Sequence, residues 1–181
     1  MAIERSLRRI GTVRLARLAR GLLDASTLCA IATVSPGCRA HVNTAYFAWS
    51  DRFDLVWLSE PHAKHSSNVR ARATVAVAVY DSNQSWGKPD RGIQLFGTAR
   101  EVVGSAARDA ERTFAKRFPG YRESEFSAYR FYRFRPRRLK LFDERALGTG
   151  VFVTASVTRG RLAWTRTEIY QARGQPRSTG R

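Results

Sequence analysis

The first regular pattern of apolar residues lies close to the N-terminus. Five apolar residues recur there at helical spacing, with arginines between them: Leu7, Ile10, Leu15, Leu18 and Leu22. This spacing predicts one amphipathic helix that ends near Asp24. Its apolar stripe either caps the core of the domain or packs against a partner chain.

Short segments with β-type patterns follow at regular intervals. Five of them are predicted as strands, at residues 28–34, 40–49, 53–59, 74–80 and 92–103. Turn residues at Pro36-Gly37 and Asp51-Arg52, and a long polar loop that begins at Asp81, separate several of these strands. Strands that follow one another through tight turns indicate an antiparallel barrel and not a doubly wound parallel sheet.

Two helices interrupt this series, and further strands follow the second helix. The first helix comes directly after Pro61, which favours a first helical turn, and the second ends at Pro119. Residues 131–142 predict a last pair of strands, in which Pro136 forces either a kink or an edge position, and residues 146–157 predict one more short strand. The pattern therefore predicts a mainly β domain of six or seven strands with two or three flanking helices.

The length and composition suit a single domain with a sizeable core. The chain has 181 residues, of which 43% are hydrophobic. Residues 1–158 are predicted as one domain that includes the N-terminal helix. Residues 159–181 are predicted as a basic C-terminal extension that is partly disordered, because residues 171–181 have no apolar anchor.

The charge is strongly positive, but its pattern does not favour nucleic-acid binding. The formal net charge is +17, and only four of the 32 basic residues are lysines. A nucleic-acid binder normally uses lysine and arginine together, because phosphate accepts both. GC-rich coding is a simpler reason for the arginine bias. Much of the excess charge lies in residues 1–22 and 159–181, where basic arms could touch an anionic partner.

The sequence favours neither a metal site, nor a disulfide, nor a membrane segment. Cys29 lies in a predicted strand and Cys38 in a turn, and a hairpin that turns near Pro36 places Cys29 opposite a residue close to Asn43. No apolar run approaches the length of a membrane span, and the basic N-terminus lacks the features of a signal peptide. The expected location is therefore the cytoplasm.

Familiar catalytic motifs are missing as well. The chain has neither a Rossmann fingerprint nor a phosphate-binding loop. The three histidines, His41, His62 and His65, form no triad with any acid that the predicted elements place near them. No catalytic residue is therefore named.

Three stretches carry a family resemblance through their order and spacing. They are ATVSPGCRAHVNTAYFAW, LVWLSEPHAKHSSNVRARATVAVAVY and RGIQLFGTAREV, followed by a helix that ends in FAKRFPG and by FRPRRLKLFDE. From Leu22 to Phe142 the chain resembles the pyridoxamine-phosphate-oxidase-like, FMN-binding split-barrel superfamily, most of all its smaller uncharacterised subgroup. The resemblance implies an antiparallel split β-barrel and a homodimer that binds a flavin at its interface.

The resemblance also implies where the phosphate of FMN binds. The phosphate is expected at the start of the short helix after the third strand, where backbone N–H groups and the helix dipole attract an anion. The residues implied there are Ser59, Lys64, His65 and Ser66. The alternative is that Lys64 is a solvated charge and His65 a surface residue.

The flavin ring is implied along an edge of the second strand, which offers backbone hydrogen bonds to the pyrimidine side. The residues implied there are Asn43, Thr44, Ala45 and Tyr46. The alternative is that Asn43 and Thr44 only satisfy a strand edge. Phe142 takes the place of a tryptophan that packs near the ring in the vitamin-making oxidase.

Three departures from that oxidase leave the implied site with fewer charged and polar side chains. Val42 stands where the oxidase has a phosphate-binding arginine, Phe47 where it has a lysine, and Gly92 where it has a glutamine. Pyridoxamine phosphate oxidation is therefore not expected, and Lys64 is expected to carry a large share of the charge that faces the phosphate. Trp86, in the polar loop, is expected either to contact the substrate or only to cover the mouth of the barrel.

Three functions are consistent with the sequence. The first is an FMN-dependent oxidoreductase or flavin reductase, which transfers hydride between FMN and a reduced nicotinamide or a small organic substrate. The second is a protein of the same fold that binds deazaflavin or haem. The third is a non-enzymatic flavin-binding module whose basic arms contact an anionic partner.

Overall fold

A computed structural model describes residues 2–81 and 83–171 of the chain. The described residues form nine strands, four α-helices and one 3₁₀ turn (Glu123–Phe126). The strands are β1 (Ala2–Ser6), β2 (Leu28–Val34), β3 (Ala40–Trp49), β4 (Leu55–Ser59), β5 (Thr74–Tyr80), β6 (Arg91–Glu101), β7 (Arg130–Asp143), β8 (Val151–Thr158) and β9 (Arg161–Gln171). The helices are α1 (Thr12–Asp24), α2 (Lys64–Ala71), α3 (Ser105–Arg117) and α4 (Glu144–Leu147).

Six of the strands close into an antiparallel barrel. The order in the sheet is β1-β9-β8-β7-β4-β3-β2-β5-β6, and β6 pairs back onto β7. The barrel thus consists of β7, β4, β3, β2, β5 and β6, and it confirms the predicted mainly β fold. Closure removes exposed edges from most of the barrel, while β8, β9 and β1 continue the sheet beyond β7.

Alternating apolar residues fill the barrel, and one helix covers its end. Trp57 of β4 and Tyr132 of β7 are fully buried, and their rings lie nearly parallel with centroids 5.9 Å apart. Helix α1 buries Leu15 and Leu22 of the predicted stripe against the same core, and Ala19 and Leu23, which were not predicted, are buried with them. A second, smaller core lies between α3 and the outer face of the barrel.

The N-terminal segment differs from its prediction. The helix begins at Thr12 and not near Leu7, whose side chain is almost fully exposed. Residues 2–6 instead form β1, which pairs with β9 from Ala2↔Gln171 to Ser6↔Thr167. Helical spacing at Leu7 and Ile10 was misleading because a strand partner more than 150 positions away leaves no local signal.

The C-terminal boundary of the domain also lies further along the chain than predicted. Residues 161–171 belong to the sheet as β9, between β8 and β1, and are not part of an extension. Leu162 and Thr167 are buried there. The rest of the predicted extension, residues 172–181, lies outside the described residues.

The predicted strand pair at residues 131–142 is one long strand with a bulge. Strand β7 runs from Arg130 to Asp143, and its pairing with β6 shifts register between Phe96 and Gly97, opposite Pro136. Proline has no N–H for the ladder, and a bulge is one of the few places in a sheet that accept it. The kink or edge position expected at Pro136 is therefore a bulge inside a continuous strand.

The two cysteines are free and differ in exposure. Cys29 is buried opposite Ala45, and burial raises the pKa of its thiol to about 12. Cys38 is exposed in the β2–β3 turn. Because the thiolate is the reactive form, only Cys38 is expected to react with a disulfide reagent in the folded protein. A thiol titration that gives one thiol before denaturation, two after it, and none in folded Cys38→Ser would agree; two rapid thiols in the folded protein would not.

Candidate functional site

A gap opens in the barrel wall where β3 and β4 separate. Strand β3 pairs with β2 along Ala40–Tyr46, but it pairs with β4 only from Phe47 to Trp49. The Phe47 N–H donates to the Thr27 carbonyl on the β2 side. Backbone groups alternate in direction along an antiparallel strand, so those of Val42 and Thr44 face away from β2, toward the open edge.

A cleft of about 710 Å³ lies against this edge. One side consists of β3 and the end of β4, with Asn43, Thr44, Ala45, Tyr46 and Ser59, and His65 comes from the first turn of α2. Six of the predicted cofactor-binding residues therefore line one cleft. The volume falls within the range of about 300–1,000 Å³ that is usual for ligand pockets.

The opposite wall is aromatic and was not predicted as part of a site. It is formed by the end of α3 and the segment after it, through Phe114, Phe118, Tyr121, Phe126 and Tyr129. The Phe114 ring contacts those of Phe118 and Tyr121 at centroid distances of 4.6 and 5.6 Å. The Phe126 ring contacts those of Tyr121 and Tyr129 at 5.7 and 5.6 Å. An apolar, aromatic surface opposite a polar strand edge suits a flat conjugated ring.

His65 and Ser59 form the shortest polar contact in the cleft. The Ser59 Oγ and the His65 Nε2 are 2.6 Å apart, and the Ser66 hydroxyl donates to the Ser59 Oγ over 3.2 Å. Ser66 is fully buried beneath the cleft and does not line it. Burial, and then the neighbouring imidazole of His41, lower the pKa of His65 below its usual value. His65 is therefore largely neutral at pH 7.

Lys64 points toward a different, smaller cleft of about 400 Å³ beside the β2–β3 turn. Arg39 and His41 line the same cleft, and sequence reasoning missed both as partners for Lys64. The rings of His41 and His65 are nearly parallel with centroids 6.5 Å apart, so they lie between the two clefts. Arg39 and Lys64 therefore line the smaller cleft, and the two imidazoles lie between it and the larger one.

Arg117 is a further cation at the larger cleft. One of its terminal nitrogens donates to the carbonyls of Leu23 and Ser26, and its guanidinium lies 4.6 Å from the centroid of the Phe47 ring. Burial lowers the pKa of Arg117 from its ordinary high value. A positive charge therefore reaches the position where the resemblance implies a lysine, but from α3 and not from β3.

The predicted residues Phe142 and Trp86 do not line this cleft. Phe131, at the cleft end of β7, contacts Phe114, whereas Phe142 lies about 35 Å further along the strand at ~3.3 Å per residue. There Phe142 covers Gly92, where a Cβ would lie 2.8 Å from the phenyl ring. Trp86 is fully exposed in the loop before β6, at the same far end.

No group of three or more histidine, cysteine or acidic side chains comes together as a ligand set for a metal ion within residues 2–81 and 83–171. In that same part of the chain, no helix combines the length and apolar character needed to cross a bilayer.

Sequence comparison places this barrel in a family. A family model described as pyridoxamine 5'-phosphate oxidase matches residues 15–143, which include all six strands of the barrel. The chain belongs to the pyridoxamine 5'-phosphate oxidase family. Among curated proteins, none matches the sequence significantly.

Solved structures of similar fold carry different descriptions. A haem-binding protein from Mycobacterium smegmatis is 17% identical with a TM-score of 0.62, over 85% of this chain and 60% of that one. The haem-storage protein HutZ from Vibrio cholerae is 16% identical with a TM-score of 0.55, over 65% and 87%. A putative pyridoxamine 5'-phosphate oxidase from Listeria innocua is 16% identical with a TM-score of 0.57, over 71% and 98%. Identities this low show a shared fold and no more.

Proposed function

We propose that this member of the pyridoxamine 5'-phosphate oxidase family binds FMN and acts as an oxidoreductase. The proposed reaction is hydride transfer between FMN and a reduced nicotinamide or a small organic substrate. The observation that carries the proposal is the open edge of β3, whose backbone groups at Thr44 and Tyr46 face away from β2 beside a cleft with an aromatic opposite wall. Bound FMN supplies the hydride chemistry, and the protein supplies binding, orientation and exclusion of water.

The cleft fits the two chemical faces of a flavin ring. The pyrimidine side of the ring needs hydrogen-bond donors and acceptors in one plane, which an unpaired strand edge supplies. The benzenoid side is apolar and suits the wall of Phe118 and Tyr121, where Phe118 contacts the Tyr46 ring across the cleft at a centroid distance of 5.8 Å.

The end of the cleft at α2, with the smaller cationic cleft beside it, fits the phosphate. His65 lies at the first turn of α2, where N–H groups without helical acceptors attract an anion. Arg39 and Lys64 add two charges beside it. These groups support FMN over riboflavin, which has the same ring and no phosphate.

Absorption spectroscopy of the purified protein tests the proposal. We expect the bands of a bound flavin, or their appearance with quenched flavin fluorescence when FMN is added to the ligand-free protein. Turnover of that flavin by a reduced nicotinamide with an electron acceptor then tests the oxidoreductase. Failure of FMN to bind at micromolar concentration would contradict the proposal as a whole; binding without turnover would leave the third hypothesis, a non-enzymatic module.

Haem is the second candidate, because two imidazoles lie beside an apolar aromatic cleft. Histidine is a common axial ligand of haem iron, and His41 and His65 are both partly exposed there. Two of the structures with similar folds are described as haem proteins. A Soret band on titration with haem that disappears in His65→Ala, together with no flavin binding, would favour haem. Deazaflavin shares the shape of the flavin ring and is the third ligand to titrate.

We also propose that the protein is a homodimer. Leu28, Val42 and Tyr46 expose apolar side chains on β2 and β3 beside the cleft. Phe142 and Trp86 lie at the end of the barrel opposite the cleft of their own protomer. They would reach a cleft only in a second copy. We expect the two copies to share an interface of about 2,000 Å² or more. Sedimentation analysis is expected to give the mass of a dimer. A stable monomer at micromolar concentration would contradict this expectation.

A further inference from the structure

The aromatic wall of the large cleft ends in a corner of three rings. The Tyr121 and Phe126 rings are stacked with centroids 5.7 Å apart, and the Tyr129 ring meets Phe126 at 81° with centroids 5.6 Å apart. All three line the cleft. Tyr129 is exposed, and the other two are half-buried. The corner therefore presents ring surface to whatever occupies the cleft.

Two carboxylates, those of Glu60 and Glu125, line the same cleft. Glu125 lies in the 3₁₀ turn that leads into the corner. Glu60 follows β4, and the pairing of Ser59 with Arg130 brings the neighbouring residues, Glu60 and Tyr129, to the same end of β4 and β7. Both acids are exposed, and in the part of the chain that the structure describes neither carboxylate has a hydrogen bond or an ion pair.

Arginines close to these acids donate elsewhere. Arg122 and Arg130 flank the 3₁₀ turn in sequence, and each donates two hydrogen bonds to backbone carbonyls. Arg117, which also lines the cleft, donates to carbonyls at the end of α1. The formal net charge of the chain is +17, so carboxylates that face a cleft without a basic partner run against its overall charge. They are available to a ligand.

The rings of the wall carry no cation from the protein, unlike aromatic rings elsewhere in it. Arginine or lysine groups lie 4.6–5.6 Å from the ring centroids of Phe47, Phe53, Phe96, Phe152, Trp164 and Tyr170. Among residues 2–81 and 83–171, none lies over Tyr121, Phe126 or Tyr129 in this way. A ring face attracts a cation that comes within about 6 Å of its centroid, so the corner has the capacity to bind one.

We propose that the corner of Tyr121, Phe126 and Tyr129, together with Glu60 and Glu125, binds a flat organic cation of the pyridinium type. The ring faces attract its charge and pack against its plane. The carboxylates supply the opposite charge. Rings alone would accept a neutral ring equally well, and carboxylates alone would accept any small cation; the combination selects a cation that is also apolar and flat.

The use of this site rests on the proposed function, because it names the class of hydride donor. When a neutral donor gives hydride to FMN, one C–H bond of the donor breaks and both of its electrons leave with the hydrogen. The donor is left with one positive charge, as a pyridinium ion when it is a dihydropyridine such as reduced nicotinamide. Carboxylates and ring faces beside the donor stabilise that charge as it develops.

The site is testable in the protein without flavin. The probe is 1-methylnicotinamide, a flat cation. Its comparison is 3-methylbenzamide, which has the same outline with a neutral carbon in place of the charged nitrogen. We expect the cation to bind about three- to thirtyfold more tightly, the span of one or two cation–π contacts. NMR titration of the two methyl signals measures both dissociation constants.

Glutamine variants test the role of the carboxylates. The double variant Glu60→Gln, Glu125→Gln is expected to lose most of the preference for the cation and to bind 3-methylbenzamide as before. Glu123→Gln is the matched control, because Glu123 is an exposed acid of the same 3₁₀ turn that does not line the cleft. At physiological salt, screening limits its effect on a ligand in the cleft, and the preference should remain.

Tyr129→Leu tests the ring, and it should weaken the binding of the cation more than that of 3-methylbenzamide. Equal affinities of the two probes for the unmodified protein would overturn the site. So would a preference that survives the double glutamine change, or one that Glu123→Gln removes to the same extent. Failure of the protein to bind FMN would overturn the proposed function and leave the result with these probes unaffected.

Discussion

Gly97→Ala is expected to lower the free energy of unfolding by about 3 kcal/mol or more, the upper range of overpacking effects. Gly97 lies at the bulge where β6 and β7 shift register. A Cβ at this position would overlap the carbonyl oxygen of Arg135 and lie 2.8 Å from the Cα of Pro136. Backbone atoms cannot rotate aside as a side chain can, so the two strands must separate locally. Urea denaturation of both proteins measures the difference.

Gly21→Ala is the control, with an expected effect of opposite sign. Gly21 lies within α1, and nothing comes within 4 Å of a Cβ built there. Alanine in an exposed helix is favoured over glycine by about 0.5–1 kcal/mol, so this variant should be slightly more stable than the wild type. Equal stability of Gly97→Ala and the wild type would mean that the bulge can relax, and would contradict the tight approach of β6 to β7.

Lys64→Ala is expected to weaken FMN binding about ten- to a hundredfold, because one charge-assisted hydrogen bond contributes roughly 1.5–3 kcal/mol. Riboflavin has no phosphate, so its affinity should scarcely change. The structure adds Arg39 to the same small cleft, and Arg39→Ala is expected to act in the same direction. Fluorescence quenching of both ligands by both variants gives the comparison.

Lys116→Ala provides the matched control for the phosphate site. Lys116 is an exposed lysine on α3 that lines neither the large cleft nor the small one beside Lys64. Its removal lowers the net charge by the same amount and should leave both affinities unchanged. Equal losses of FMN and riboflavin in Lys64→Ala would indicate a role in folding, and no loss of either would place the phosphate elsewhere.

The proposed site combines residues that differ in how well they tolerate change. The strand edge at Thr44 and Tyr46 offers backbone groups, which do not depend on the side chains present. The proposed phosphate position at the start of α2 depends on individual side chains such as Lys64 and His65.

Local sequence patterns were sufficient for most of the barrel. The bounds of β2, β3 and β5 agree with prediction to the residue, because alternation and turn residues on both sides act over only a few positions. The open edge of β3 was also anticipated through the family resemblance, as was the proximity of His65 to it. These features depend on neighbours in sequence or on a motif of fixed spacing.

Tertiary structure alone decided the rest. Strands β1 and β9 stabilise each other across the whole chain, and neither segment shows a strong pattern by itself. The aromatic wall around Phe118 reaches Tyr46 only because α3 packs on the outside of β3 and β4. Tyr132 meets Glu101 through the pairing of β6 with β7 that closes the barrel. Contacts between residues this far apart arise from the packing of whole elements, and that packing leaves no periodic signal in the sequence.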